Sequence, residues 1–209
     1  VDAFVEVRKG KITREQAEVL LKDENYFGTM LTHMGITDGL VSGAIHSTGD
    51  TVRPALQIIK TKPGISRTSG AFLMMRGNEQ EKYLFADCAI NVSPSPQELA
   101  EIAIASAATA KMFDIDPKVA MLSFSTKGSA KAPQADATIE ATRIAQELAP
   151  DLVIDGELQF DAAYNQSVAQ LKAPESDVAG KANVYVFPDL QSGNIGYKLA
   201  QRLGNFEAI

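Results

Sequence analysis

Val41–Thr61, VSGAIHSTGDTVRPALQIIKT, is the stretch on which the fold turns. The run Gly39–Gly43 reads as a buried strand, with Leu40 and Val41 at its apolar end. His46-Ser47-Thr48-Gly49-Asp50 then forms a compact polar turn. Val52, Ala55, Leu56 and Ile59 recur at i, i+3, i+4 and i+7, the apolar face of a helix. A strand that passes through a hydroxyl-rich turn into a helix presents free N–H groups and the positive end of a helix dipole at one point. Arg53, in the first turn, adds a fork-shaped cation. An anion site is one reading of this junction. The other is an ordinary strand-to-helix turn, with Asp50 or Thr51 as N-cap and Arg53 solvated.

Upstream, Ala3–Val7 has helix or strand character and leads into the basic loop Arg8–Lys11. Thr13-Arg14-Glu15-Gln16 is a capping box that starts a short helix through Leu21. Asn25 is placed to cap a second helix, Tyr26–Met34, closed by Gly35. Downstream, Lys60–Ser69 is polar and carries Pro63-Gly64, a domain-boundary signal. Two strands follow, Ala71–Arg76 and Tyr83–Cys88, joined by the hairpin-like loop Gly77–Gln80. From there helix and strand alternate: helix Gln97–Phe113, strand Val119–Phe124, helix Ala135–Leu148, strand Leu152–Ile154. An amphipathic segment Phe160–Ala169, strand Asn183–Phe187 and helix Gly193–Leu203 complete the series. That alternation predicts parallel βαβ units with helices covering a mostly parallel sheet.

The composition narrows the class of protein. Over 209 residues, 45% hydrophobic and 22% charged is the balance of a globular chain with a real core. A net charge of −6, with no clustered Lys/Arg run, argues against nucleic-acid binding. The single cysteine, Cys88, excludes an intrachain disulfide framework and suits a reducing cytoplasm. No apolar run approaches the roughly 20 residues of a membrane span. The chain opens on Val1 and stops at Ile209 directly after a helical pattern, and a fragment is expected.

Ligands of open α/β sheets gather beyond the carboxyl ends of the strands. Four polar clusters lie there: His46–Arg53, Ser123–Lys131, Asp155–Asp161 and Pro188–Asn194. The second resembles a phosphate cradle, with hydroxyls from Ser125, Thr126 and Ser129, a free backbone at Gly128 and charge from Lys127. Its order is Lys-Gly-Ser, so it is not a Walker A loop, and no GxGxxG follows any strand. Asp155, Glu157 and Asp161 have the chemistry of Mg²⁺ ligands, but a solvated loop whose acids cap a helix is the better reading. His33 reads as structural, and His46 as either a hydrogen-bonding or an acid–base group beside the anion turn. Cys88 reads as a buried small hydrophobe.

Five phrases in order, VSGAIHSTGDTVRPALQIIKT, LFADCAINVSPSPQELAEIA, VAMLSFSTKGSAK, APDLVIDGELQFDAA and GKANVYVFPDLQSGNIGYKLAQRL, resemble the phosphate acetyltransferase family. The resemblance implies reversible acetyl transfer between coenzyme A and phosphate, with no tightly bound cofactor and no metal. It implies two α/β/α domains with a cleft between them, similar to isocitrate and isopropylmalate dehydrogenases. On that template residues 1–68 belong to the first domain, 69–205 form the second, and 206–209 begin a return to the first. Arg53 matches a family arginine of the active-site cleft, and Arg8 one implicated in binding coenzyme A. Ser47, Thr48, Thr51 and Arg53 are assigned to the phosphoryl group, with Ser125, Thr126, Lys127 and Ser129 as a second donor set. The family's later Ser-Arg-Gly segment, with its following Asp, lies outside these residues. The substrates expected are acetyl-CoA, phosphate and acetyl phosphate, in a cytoplasmic homodimer with neither nucleic acid nor membrane as partner. Phosphate butyryltransferase, a noncatalytic acyl-CoA-sensing domain and a metal-dependent decarboxylating dehydrogenase are the alternatives.

Overall fold

A computed structural model describes residues 1–61, 65, 67–77 and 81–209 of the protein. The boundary signal at Pro63-Gly64 and the tip of the loop after Gly77 lie outside the described residues. The chain divides into two compact units, Val1–Ile65 and Ser66–Ile209.

The described part of the first unit is helical: α1 (Asp2–Val7), α2 (Arg14–Leu20), α3 (Glu24–His33) and α4 (Thr48–Ile58). Thr13 and Gln16 cap α2 reciprocally, as the sequence predicts. The cap of α3 is Asp23, whose side chain accepts from the N–H groups of Asn25 and Tyr26. Asn25, expected at that cap, instead lies inside the helix and is buried. Phe4, Ala17, Tyr26, Met30 and Ile58 form the core that joins all four helices. The Phe4 and Tyr26 rings sit 5.8 Å apart.

The strand expected over Gly39–Gly43 does not form, and the first unit is not an α/β layer among the described residues. Val41 is fully exposed, and Ile45 is 87% exposed. A strand exists only where a neighbour takes its N–H and C=O groups. None of the described residues runs alongside this segment as a strand.

The second unit is a three-layer α/β structure around one mixed sheet. Its strands are β1 (Ala71–Arg76), β2 (Glu81–Ala86), β3 (Lys118–Leu122), β4 (Val153–Leu158), β5 (Val184–Val186) and β6 (Glu207–Ala208). Their spatial order is β4-β3-β5-β2-β1-β6. β4, β3, β5 and β2 run parallel, whereas β1 pairs antiparallel with both β2 and β6. The sheet is therefore mixed. Residues 206–209, expected to lead back to the first domain, add the edge strand β6 to this one.

Side-chain alternation along the strands sorts the core into two faces. Leu73, Leu84, Val119, Met121, Val184 and Val186 meet α5 (Pro96–Met112) and α6 (Pro133–Leu148). Met74, Phe85, Ala120, Leu122 and Tyr185 point the other way. There they meet α7 (Phe160–Tyr164), α8 (Gln166–Lys172) and α9 (Leu190–Leu203). The amphipathic stretch expected as one segment over Phe160–Ala169 is broken at Asn165, which caps α8. The α5 helix starts at a second capping box, Ser95 with Glu98, and has Pro96 in its first turn.

Candidate active-site elements and family relationship

In the first unit, α4 begins one turn earlier than its apolar face suggests. Ser47, not Asp50 or Thr51, is the N-cap. Its hydroxyl accepts from the Asp50 N–H at 3.2 Å and donates to Asp50 Oδ2 at 2.7 Å. Arg53 Nη1 donates to Asp50 Oδ1 at 3.1 Å. The Ser47 hydroxyl, helped by Arg53, holds the Asp50 carboxyl below the usual aspartate range. Thr51 turns its hydroxyl back onto the Ser47 carbonyl at 3.0 Å. By helix geometry the N–H groups of Thr48 and Gly49 have no partner further along α4. The turn thus brings together Ser47, Thr48, Thr51 and Arg53 on the solvent side of the unit.

Arg8 is placed elsewhere. Its Nη1 donates to the Gln57 carbonyl at 3.0 Å, and Nε is buried with no partner. Gln57 is nine residues into α4, about 14 Å from its start by helical rise. Tyr26 steadies the same residue through a 3.1 Å hydrogen bond to Gln57 Oε1. His46 Nε2 lies 3.9 Å from Glu24 Oε2 and 4.0 Å from Asp23 Oδ2. Asp23, Glu24 and His46 are the grouping of metal-ligand type among the described residues, and the sequence reading missed it. Asp23 and His46 are 23 positions apart, so only folding brings them together.

In the second unit, the loop after β3 has the shape of a cradle, but the chain itself fills it. Lys127 and Gly128 take consecutive left-handed conformations, with φ of 49° and 80°. Every N–H from Ser125 to Ala130 is used internally. Thr126 donates to Ser129 Oγ at 3.0 Å, and Ser129 to the Thr126 carbonyl at 3.1 Å. Ser125 and Ala130 donate to Ser123 Oγ and Ser125 Oγ at 3.4 and 3.0 Å. Lys127 donates to the Glu157 carbonyl at 3.2 Å, and Gly128 to the Glu157 carboxylate at 2.8 Å. Ser125 and Thr126 are buried, while Lys127, Gly128 and Ser129 are exposed. The Lys127 ammonium pairs with Asp155 and donates to the Gly156 carbonyl at 3.0 Å.

Asp155, Glu157 and Asp161 do not converge on a shared point. Asp155 takes Lys127 and the Ser176 hydroxyl, and Asp161 takes Lys172 at 3.0 Å. That Lys172 hydrogen bond holds the Asp161 carboxyl low. A cavity of about 760 Å³ lies along β4, lined by Leu152, Val153, Asp155, Lys172 and Ser176 and reached by Lys127 from the loop after β3.

Asp87 is a buried carboxylate that sequence reasoning did not single out. It directly follows β2, is buried, and its carboxylate accepts from the N–H groups of Ala89, Ile90 and Asn91 at 2.8–3.0 Å. An Asp at a strand end, followed by small residues, is the available signal for such a turn. Cys88 beside it is fully buried, and burial pushes its thiol up to about 12, so it stays protonated. Asp189 caps α9 through the Ser192 N–H at 2.8 Å, which accounts for the Pro188–Asn194 cluster.

The profile of the phosphate acetyl/butaryl transferase family matches residues 1–209, the whole chain. The chain belongs to that family. Phosphate acetyltransferase of Bacillus subtilis (strain 168) is 68% identical over 209 residues, all of this chain and 64% of the relative. That of Staphylococcus epidermidis (strain ATCC 12228 / FDA PCI 1200) is 63% identical over 214 residues, again across 64% of its length. The chain therefore spans just under two thirds of the relatives it matches. The crystal structure of a phosphotransacetylase from Streptococcus pyogenes superimposes with a TM-score of 0.93 at 72% identity, covering 99% of this chain and 63% of that one. A branched-chain phosphotransacylase from Enterococcus faecalis V583, at 22% identity and a TM-score of 0.69, shares the fold across 88% of this chain and 66% of its own.

Proposed function

We propose that the full-length protein is a phosphate acetyltransferase, exchanging an acetyl group between acetyl phosphate and coenzyme A. The observation that carries this is the match of the whole chain to the family, at 68% identity to a phosphate acetyltransferase. Butyryl or branched-chain transfer is the weaker reading, since the branched-chain relative is only 22% identical. The chemistry needs a coenzyme A thiolate, an acyl phosphate held in line, and donors for charge developing on carbonyl and phosphoryl oxygens. The thiolate attacks the acyl carbon, so no protein nucleophile is required, in keeping with a buried, protonated Cys88.

Within this reading Arg53 and the Ser47–Thr51 turn bind the phosphoryl group. Support comes from the first-turn N–H groups of α4 and an exposed guanidinium held one turn on. From the Ser125–Ser129 loop, the exposed Lys127 and Ser129 are the members able to meet a substrate, whereas Ser125 and Thr126 serve inside. Arg8 is assigned to coenzyme A on the family resemblance, with its Nη1 held on the Gln57 carbonyl. Coenzyme A acts as substrate, no tightly bound cofactor takes part, and the general base lies outside residues 1–209. The reading includes a two-domain α/β/α architecture, divided near residue 68, in a cytoplasmic homodimer. No helix among the described residues is long and apolar enough to cross a membrane.

Thioester formation from acetyl phosphate and coenzyme A, assayed on the full-length protein beside residues 1–209, tests the proposal. Activity in the full-length protein with little in the shorter chain is expected. No thioester from the full-length protein overturns it, and coenzyme A binding without transfer would favour an acyl-CoA-sensing role.

A further inference from the structure

Glu157 is a carboxyl side chain that the fold buries. Along β4, Gly156 pairs with Met121 and Leu158 pairs with Leu122, so Glu157 is the extra residue of a bulge. A bulge re-aims the side chain it carries. Gly156 makes the bulge possible: a Cβ there would meet Met121 Cβ at 2.6 Å and Thr142 Oγ1 at 2.7 Å. The re-aimed carboxylate is 2% exposed and reaches the loop after β3. Its Oε1 accepts from the Ser125 hydroxyl at 2.7 Å and from the Gly128 N–H at 2.8 Å, and its carbonyl accepts from Lys127. No cation pairs with it among the described residues. The Ser125 hydroxyl and the Gly128 N–H, presented by the left-handed turn at Lys127 and Gly128, converge on one point, and the chain's own carboxylate occupies it.

We propose that Glu157 is a positioning residue for acyl transfer. It holds the Ser125–Ser129 loop in the one conformation that leaves Lys127 and Ser129 outward at the carboxyl edge of the sheet, where a phosphate-bearing substrate meets them. This rests on the transferase reading above. Any acceptor oxygen at that point suffices, because both loop bonds use the same carboxylate oxygen. Negative charge is not itself the requirement.

The test uses the full-length protein with Glu157→Ala, Glu157→Gln and Ser125→Ala, read by thioester formation and by hydrogen exchange of the segment 123–131. Glu157→Ala removes the acceptor and is expected to lower kcat/KM roughly ten- to hundredfold. Faster exchange should be confined to that segment. Glu157→Gln keeps the acceptor and should restore most of the rate. Ser125→Ala, which removes the hydroxyl clamp from the other side, should loosen the loop and slow transfer in parallel. A loosened loop with wild-type kinetics, in Glu157→Ala or in Ser125→Ala should the former fail to fold, overturns the proposal. So does a Glu157→Gln enzyme as slow as Glu157→Ala with its loop still protected, since charge and not position would then be at work. Full-length wild type that forms no thioester is a different failure: the transferase reading falls, and exchange still shows whether Glu157 holds the loop.

Discussion

Gly193 in α9 packs directly on Asp87 at the end of β2: a Cβ on Gly193 would lie 2.4 Å from the Asp87 carbonyl oxygen. The contact is with backbone, which cannot swing away as a flexible side chain would. It brings the start of α9 against the turn that Asp87 organises, and Asn194 adds a 3.3 Å hydrogen bond to the Cys88 carbonyl.

Gly193→Ala is therefore expected to destabilise the second unit. Alanine gains at most about 1 kcal/mol in helix propensity, against about 1–3 kcal/mol or more for overpacking. The check is the midpoint of thermal or urea unfolding, and an unchanged or raised midpoint contradicts the contact.

Arg53→Gln in the full-length protein should raise the KM for acetyl phosphate and lower turnover. Loss of a charge-assisted hydrogen bond is worth about 1.5–3 kcal/mol, hence roughly a ten- to hundredfold effect on kcat/KM. Steady-state kinetics with each substrate varied in turn decide this, and wild-type constants would remove Arg53 from the site.

Ser47→Ala strips α4 of its cap and frees Asp50 from the hydroxyl that orients it. The expected cost is about 0.5–2 kcal/mol. It should appear as faster amide exchange at Thr48–Thr51, with the Asp23-capped start of α3 as the internal control.

Acid should weaken the fold from one direction. Asp50, Glu98 and Asp161 are held below their ordinary values of 3.8, 4.5 and 3.8, chiefly by Ser47, the Ser95 N–H and Lys172 respectively. Carboxyls depressed in the folded state bind fewer protons there than in the unfolded chain. Their contribution is complete above the ordinary values and is lost as the pH falls through the folded ones. Urea midpoints measured across the acid range should decline only below those ordinary values. A midpoint that rises as acid is added would contradict the assignment.

Much of the second unit was legible in the residues alone. Ala71–Arg76 was read to its ends, and α5 and α6 to within two residues, because a short apolar run bounded by turn residues and helical periodicity are local signals. The polar groups beyond the carboxyl ends of β3 and β5 were legible for the same reason, whereas Asp155 and Glu157, expected beyond a strand ending at Ile154, lie inside β4. Tertiary structure decided what those groups do. Lys127-Gly128 looks like an open cradle until a bulge 29 residues later brings Glu157 into it. Asp23 and His46 meet only because α3 and α4 pack together. Val41 shows the converse. Its apolar, β-branched character predicts a strand, but sequence pattern states a preference and not a partner. With no strand alongside among the described residues, the backbone of 39–43 has nothing to pair with, and the preference goes unexpressed.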